Sequence, residues 1–180
     1  MAEDAGTLDF WTALLIAVSG ALYRLFGRAP EPEALLILSL FVGIAMSTIG
    51  QRMLRLDEGR ALLRYRLLPI AGWKLLVTQD MTFLIPLAVM VSLLSLRTGV
   101  AFGLVAIAVG RYPSLRQRAN QHRWRFVGGD PRFGVAQVLL GGLAGIGAAR
   151  TGLWVLAVAF AIYLVSIFWG EMLWKRSLAA

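Results

Sequence analysis

The side chains that most often carry out enzymatic chemistry are scarce in this sequence. The only histidine is His122, and there is no cysteine, which excludes thiolate nucleophiles and thiolate metal sites. A lone histidine among arginines lacks the further ligands, at suitable spacing, that a metal site needs. The glycine-rich ATP-binding loop, the Gly-x-Ser-x-Gly elbow and the His-Glu-x-x-His pair are missing as well. The sequence therefore predicts that this chain is not an enzyme and that it holds neither a metal ion nor a cofactor.

Two acidic residues lie close to apolar stretches and are predicted to be structural. Asp80 opens an apolar run, where a carboxylate is favoured near the N-terminus of a helix. Glu171 stands four residues before Lys175, in the order that supports a salt bridge between successive helical turns. No carboxylate is expected in the middle of an apolar run, which argues against a carrier coupled to protons or other ions.

The segment 62–76 is basic and rich in leucine, and it lies between two strongly apolar regions. Arg64 and Arg66 alternate with apolar side chains, while Pro69 and Gly72 divide the segment into two short pieces. Such a segment can lie on a membrane surface with its leucines in the lipid and its cations among the headgroups. It can also present a short helix to a protein partner outside the membrane.

The composition is that of an integral membrane protein. Of the 180 residues, 58% are hydrophobic and only 16% are charged, and the mean hydropathy is +0.71. A soluble domain has about a quarter of its residues charged. The apolar residues here form long runs instead of recurring on one helical face, which indicates helices surrounded by lipid or by other helices.

The apolar runs predict an all-α bundle of about six transmembrane helices arranged as three hairpins, forming a single transmembrane domain over 1–180. The runs are 10–26, 34–50, 81–96, 100–110, 134–149 and 153–174. Crossing a membrane takes about 20 residues, so the fourth run is short. Tight tips are expected at Arg97-Thr98-Gly99 and Arg150-Thr151-Gly152, and longer connecting loops at 51–80 and 111–134.

The distribution of lysine and arginine predicts the orientation of the bundle. Fourteen of the 18 lie in the two long connecting loops and the C-terminal tail, and four lie in the short tips. Because basic residues accumulate on the cytoplasmic side, both long loops and both termini are predicted to be cytoplasmic. The chain is therefore expected to be a multi-pass membrane protein.

Two pairs of glycines are spaced for close helix packing. Gly99 and Gly103 form one pair, and Gly141 and Gly145 form the other. Glycines four residues apart allow two helix backbones to approach each other. The spacing leaves open whether these glycines pack helices within one chain or form a contact between subunits.

The second long loop interleaves arginines with aromatic residues from Tyr112 to Phe126. In a soluble protein this pattern can indicate stacking on RNA bases. Beside two membrane spans it favours an interfacial segment whose arginines face anionic membrane lipids. We therefore expect membrane lipids, and not nucleic acid, as the partner of this loop.

The sequence Tyr65-Arg66-Leu67-Leu68-Pro69-Ile70-Ala71-Gly72-Trp73-Lys74-Leu75-Leu76, followed by Gln79-Asp80 and a new span, resembles the permease subunits of bacterial type-2 ABC exporters. The arginine-rich loop 116–129 and the six-span layout are similar to that family too. The resemblance implies that the chain is a multi-pass protein of the inner (plasma) membrane of a bacterium. It also implies that the loop between the second and third spans holds a coupling helix that docks on an ATPase subunit. The docking residues would then be Arg64, Tyr65, Arg66, Leu67, Leu68 and Trp73.

The predicted topology and the resemblance lead to two hypotheses about function. In the first, the chain is a permease-like subunit of an ATP-driven exporter. It forms a pathway with a second copy or a homologous permease subunit, and it is driven by a separate ATP-binding-cassette ATPase docked on the segment 60–76. In the alternative, the chain is a membrane scaffold or assembly subunit that transports nothing and binds a soluble partner through the same loop.

Overall fold

The computed structural model describes the backbone of residues 4–52, 71–116 and 131–179, and the side chains of 9–47, 71–111, 132–172 and Lys175. Within these ranges the regular structure is entirely helical, which confirms the all-α part of the predicted fold. The helices are α1 (Asp4–Phe26), α2 (Pro32–Arg52), α3 (Gly72–Ser92), α4 (Leu96–Arg116), α5 (Pro131–Thr151) and α6 (Leu153–Ala179).

Local sequence explains several of the helix boundaries. Pro32 and Pro131 are the first residues of α2 and α5, where a proline loses no helical hydrogen bond and its fixed φ suits the helix. Gly152 separates α5 from α6 with a φ of 78°, which glycine adopts without steric strain. Its N–H donates to the carbonyl of Ala148 over 3.1 Å and so closes the end of α5.

Helix α4 lies at the centre of the bundle and packs against α2, α3, α5 and α6. Its residues 101–107 are all buried. A helix that is apolar on every side, with glycine and alanine among its residues, fits a position surrounded by other helices. The fourth apolar run, predicted to be short, is therefore the middle of a 21-residue helix that extends beyond both ends of the run.

The predicted tip at Arg97-Thr98-Gly99 is wrong, because these residues form the first turn of α4. The turn lies just before them, over Leu93 to Ser95. Ser95 accepts the first helical hydrogen bond from Gly99 N–H at 3.0 Å, and its hydroxyl lies 2.7 Å from that of Thr98. Ser95 thus occupies the cap position, where serine is strongly preferred.

The short connections meet at one end of the bundle, which we call the tip end. The Arg24 guanidinium, at the end of α1, donates to the carbonyls of Leu93 and Leu94 at the end of α3, at 2.9 and 3.0 Å. The N–H of Ser95 donates to the hydroxyl of Ser39 in the second turn of α2, at 2.9 Å. Consecutive helices in the bundle are therefore antiparallel.

The antiparallel packing places the other helix ends together at the opposite end of the bundle, which we call the basic end. There α2 and α4 finish and α3 and α5 begin. The intervening segments 53–70 and 117–130 contain many of the arginines of the sequence. The predicted connecting loops 51–80 and 111–134 are too long at their helical margins, because α3 already begins at Gly72 and α4 continues to Arg116.

Candidate functional site: a buried ion pair towards the basic end

Three polar side chains from three helices meet inside the bundle. Asp80 lies in the third turn of α3, Arg111 lies in the last two turns of α4, and Tyr163 lies near the middle of α6. All three residues are buried. We call this group the Asp80 cluster.

The Asp80 cluster is organised around one carboxylate oxygen. The Arg111 guanidinium lies 2.5 Å from Oδ2 of Asp80, and the two side chains are only 3% and 9% exposed. The Tyr163 hydroxyl donates to the same oxygen over 2.9 Å. The guanidinium also lies 5.6 Å from the centre of the Tyr163 ring, within range of a cation–π interaction. The carboxylate is thus held by a charge and by a neutral donor from two different helices.

The register of the α3–α4 hairpin brings the ion pair together. Gly99 of α4 faces Val91 of α3, and one turn further along α4 Gly103 faces Leu87. Two further turns along the same faces, Arg111 meets Asp80. The two helices therefore pack along one continuous seam, with small residues near the tip end and a charge pair towards the basic end.

Exposed tryptophans indicate how deep the Asp80 cluster lies. Trp73 precedes Asp80 by seven residues on α3, and Trp169 follows Tyr163 by six on α6. At about 1.5 Å of rise per residue, both tryptophans lie about 10 Å from the cluster, towards the basic end. Both side chains are exposed. Since tryptophan concentrates at membrane interfaces, this arrangement fits an ion pair inside the apolar zone.

The interpretation of Asp80 as a carboxylate near a helix N-terminus is wrong. Helix α3 begins at Gly72, so Asp80 lies well beyond the first turn, where free backbone N–H groups stabilise an acid. The expectation that no carboxylate lies in the middle of an apolar run is also wrong, because Asp80 falls inside the apolar helix Gly72–Ser92. Arg111, expected in a connecting loop, belongs to α4.

A sequence signal for the ion pair existed and was missed. Gly99, Gly103 and Arg111 are spaced by four and eight residues and so share a helical face. Asp80 and Leu87, seven residues apart, share one face of the preceding helix. Once the two helices are taken as an antiparallel hairpin, the acid and the arginine fall at the same level.

The predicted docking residues lie mostly beyond the described residues: Arg64, Tyr65, Arg66, Leu67 and Leu68. Trp73 lies in the first turn of α3 and is 44% exposed. The Lys74 ammonium is 5.7 Å from the centre of the Trp73 ring. The described part of the predicted docking segment is therefore an exposed, cationic helix start at the basic end.

The four glycines of the predicted packing pairs face other helices of the same chain. A Cβ on Gly99 or Gly103 would meet Val91 or Leu87 of α3. A Cβ on Gly141 would lie 3.1 Å from the Phe102 ring of α4, and one on Gly145 would lie 2.8 Å from Leu40 of α2. Both pairs thus pack helices within the chain.

Phe102 shows what these close approaches accomplish. Its ring is fully buried and lies against Gly43 of α2 on one side and Gly141 of α5 on the other. A Cβ on Gly43 would lie 2.6 Å from the ring. The two glycines let three helices close around one aromatic ring at the centre of the bundle.

Two further polar contacts involve side chains of α5 and α6. The buried Gln137 side chain of α5 donates to the backbone carbonyl of Ala106 in α4 over 2.6 Å. A single polar residue in an apolar run indicates such a contact. The predicted pair of Glu171 and Lys175 is confirmed at 3.0 Å. In the described parts of the chain, no three acidic, histidine or cysteine side chains group together as metal ligands would.

Within the described residues, four of the helices are long and apolar enough to cross a membrane, by length and composition. They comprise Asp9–Phe26, Gly72–Ser92, Arg132–Thr151 and Leu153–Met172. Large apolar side chains such as Leu15, Val89 and Leu143 are exposed on three of them, as lipid contact requires. Together these features indicate a multi-pass membrane protein. No protein-family model matches the chain, and no curated protein or solved structure matches it either.

Proposed function

We propose that this chain is a permease-like membrane subunit of an ATP-driven exporter, coupled to a separate ATPase through the segment 60–76. The observation that carries the proposal is the position of the Asp80 cluster on α3. The segment 60–76 leads directly into α3, and two turns beyond Trp73 that helix is tied to α4 and α6. A displacement at the start of α3 therefore reaches three helices together.

The rigidity of this connection is what coupling requires. An ion pair and a hydrogen bond on one carboxylate oxygen resist separation in an apolar interior, because each partner would be left without its counterpart. Closure of an ATPase dimer would then move α3, α4 and α6 as one body, in the manner of a rigid-body rocking transition.

The proposed orientation places the basic end in the bacterial cytoplasm, where ATP is available. Six crossings put both termini on the same side as the segments 53–70 and 117–130, which agrees with the excess of basic residues in them. Four crossings follow from helix composition. The other two are assigned to α2 and α4, because each packs antiparallel between helices that have the length and composition of spans.

A pathway through this protein has to lie between subunits in this proposal. The centre of the bundle is filled by α4, whose residues 101–107 are buried. We therefore place the pathway between two copies of the chain, or between one copy and a homologous permease subunit. ATP hydrolysis belongs to the partner, since this sequence contains no ATP-binding loop of the Gly-x-x-x-x-Gly-Lys-Ser/Thr type.

The filled centre also favours a second candidate function. A solid bundle is what a membrane scaffold or assembly subunit would present, holding a soluble partner at the basic end and moving no substrate. The two functions differ in what the assembled protein contains. A polar cavity between subunits and transport that depends on ATP belong to the exporter, and a dry, apolar subunit contact belongs to the scaffold.

Reversing the charge at Arg64 and Arg66 tests the proposed docking. The double variant Arg64→Glu/Arg66→Glu is expected to bind the ATPase about tenfold more weakly, equivalent to ~1.4 kcal/mol. The measurement is the ATPase activity that co-purifies with the tagged chain in detergent, per mole of chain. Trp73→Ala is expected to lower it as well, because aromatic side chains commonly anchor interfaces.

The matched control for charge reversal is Arg28→Glu, an exposed arginine at the tip end. It is expected to leave the co-purified ATPase activity unchanged. If no ATPase accompanies the wild-type chain, the exporter proposal is wrong. If a partner without ATPase activity is retained through Arg64 and Arg66 instead, the scaffold is the correct function.

A further inference from the structure

Helix α4 differs from its neighbours in a way that the proposed function does not explain. It is the central helix of the bundle, but its apolar run, 100–110, is only 11 residues long and lies between Arg97 and Arg111, whereas a crossing takes about 20 residues. It also contains Arg111, a charge buried in the bundle interior. The helix on which the others pack is therefore a poor candidate for independent insertion.

The counter-charge for Arg111 comes from the helix that immediately precedes α4. Asp80 of α3 lies 2.5 Å from the guanidinium. The turn between the two helices is short, and Ser95 caps the start of α4. The charge pair itself is thus formed as soon as these two helices fold against each other, and α6 later adds the hydroxyl of Tyr163.

We propose that α3 and α4 enter the membrane together as a helical hairpin, with Asp80 neutralising Arg111 while α4 crosses. An arginine crossing on an isolated helix is strongly unfavourable in hydrocarbon. Pairing with a carboxylate at the same level of an adjacent helix removes most of that penalty. The proposal rests on the membrane location of α3 and α4, and not on coupling to an ATPase.

The hairpin has a seam that lets it close before α5 and α6 arrive. Gly99 and Gly103 bring α4 close to Val91 and Leu87 of α3, and such small residues favour helix association within lipid. Other contacts of α4 follow later, such as Phe102 against Gly141 of α5, while Gly43 of α2 already precedes the hairpin in the chain. The order of the sequence therefore agrees with early pairing of α3 and α4.

The test follows the side of the membrane on which the segment after α4 lies. The chain contains no cysteine, so single-cysteine reporters are unambiguous. Ala119→Cys reports on the segment between α4 and α5, and Leu96→Cys reports on the tip end. In intact cells, a membrane-impermeant maleimide is expected to label Leu96→Cys and to leave Ala119→Cys protected.

The decisive variant is Asp80→Asn, which keeps the shape of the side chain and removes its charge. With α4 unable to cross, Ala119→Cys is expected to become labelled, with the ratio of labelled to protected protein rising on the order of tenfold or more. Removing the second charge in Asp80→Asn/Arg111→Leu is expected to restore protection, since α4 then crosses without a counter-charge.

Two comparisons separate insertion from a general loss of stability. Gly43→Ala disturbs packing around Phe102 without changing a charge, so Ala119→Cys is expected to stay protected in that background. The inference is overturned if Asp80→Asn leaves Ala119→Cys as protected as in the wild type, or if the double variant stays labelled. If Asp80→Asn moves the Ala119→Cys reporter to the other face of the membrane, in either direction, the hairpin is supported. If Ala119→Cys is already labelled without Asp80→Asn, only the proposed orientation is overturned.

Discussion

Arg111→Leu is expected to lower the free energy of unfolding by about 3–5 kcal/mol, because it leaves the Asp80 carboxylate buried without its counter-charge. Leucine fills part of the space of the arginine stem but offers no donor to the carboxylate. The measurement is denaturant-induced unfolding of the purified protein in detergent, followed by the helical circular dichroism signal.

Two controls assign that loss to the ion pair. Tyr163→Phe removes the hydroxyl that donates to Asp80 but leaves the ion pair, and it is expected to lower stability by only about 1 kcal/mol. Asp80→Leu/Arg111→Leu removes both charges and is expected to recover most of the stability lost in Arg111→Leu. An Arg111→Leu variant within 1 kcal/mol of the wild type, on the scale of a single hydrogen bond, would show that the pair contributes little.

Gly99→Ala is expected to destabilise the α3–α4 contact by about 2–3 kcal/mol, as overpacking of a tight interface does. The new Cβ would lie 2.7 Å from both Cβ and Cγ1 of Val91. Because valine is branched at Cβ, its rotation cannot clear the space, and the two helices have to separate. The same unfolding measurement in detergent detects the loss.

Gly142→Ala is the matched control for that substitution. A Cβ at Gly142 meets no atom within 4 Å, and the residue lies in a helix as Gly99 does. Alanine there is expected to leave stability unchanged or to raise it by up to about 1 kcal/mol through helix propensity. Equal effects of the two substitutions would mean that α3 and α4 do not pack along the Gly99–Val91 seam.

The sequence was sufficient to predict the helical class and a break between helices at Gly152, because long apolar runs and Gly152 are local signals. The central position of α4 was not predictable from hydropathy alone. Glycine and alanine lower the apolarity of α4, yet in Gly99 and Gly103 they are what allows close packing. A run that looks too short to face lipid was in fact suited to face other helices.

The Asp80 cluster was missed because its members are 31 and 83 residues apart in the chain. Propensity and local spacing describe one helix at a time. Asp80 was assigned to a helix start because the apolar run was taken to begin at residue 81, whereas α3 already begins at Gly72. Only the register of two antiparallel helices brings Asp80 to Arg111, and only a third helix adds Tyr163.

In the proposed topology, both arginine-rich connecting segments lie on one face of the membrane and the short tips lie on the other. Single-cysteine labelling in intact cells and in inside-out vesicles tests it directly. Ala61→Cys and Ala119→Cys are expected to react only in the vesicles, and Ala29→Cys and Leu96→Cys only in the cells. Reaction of Ala61→Cys and Ala119→Cys from opposite faces would contradict that topology.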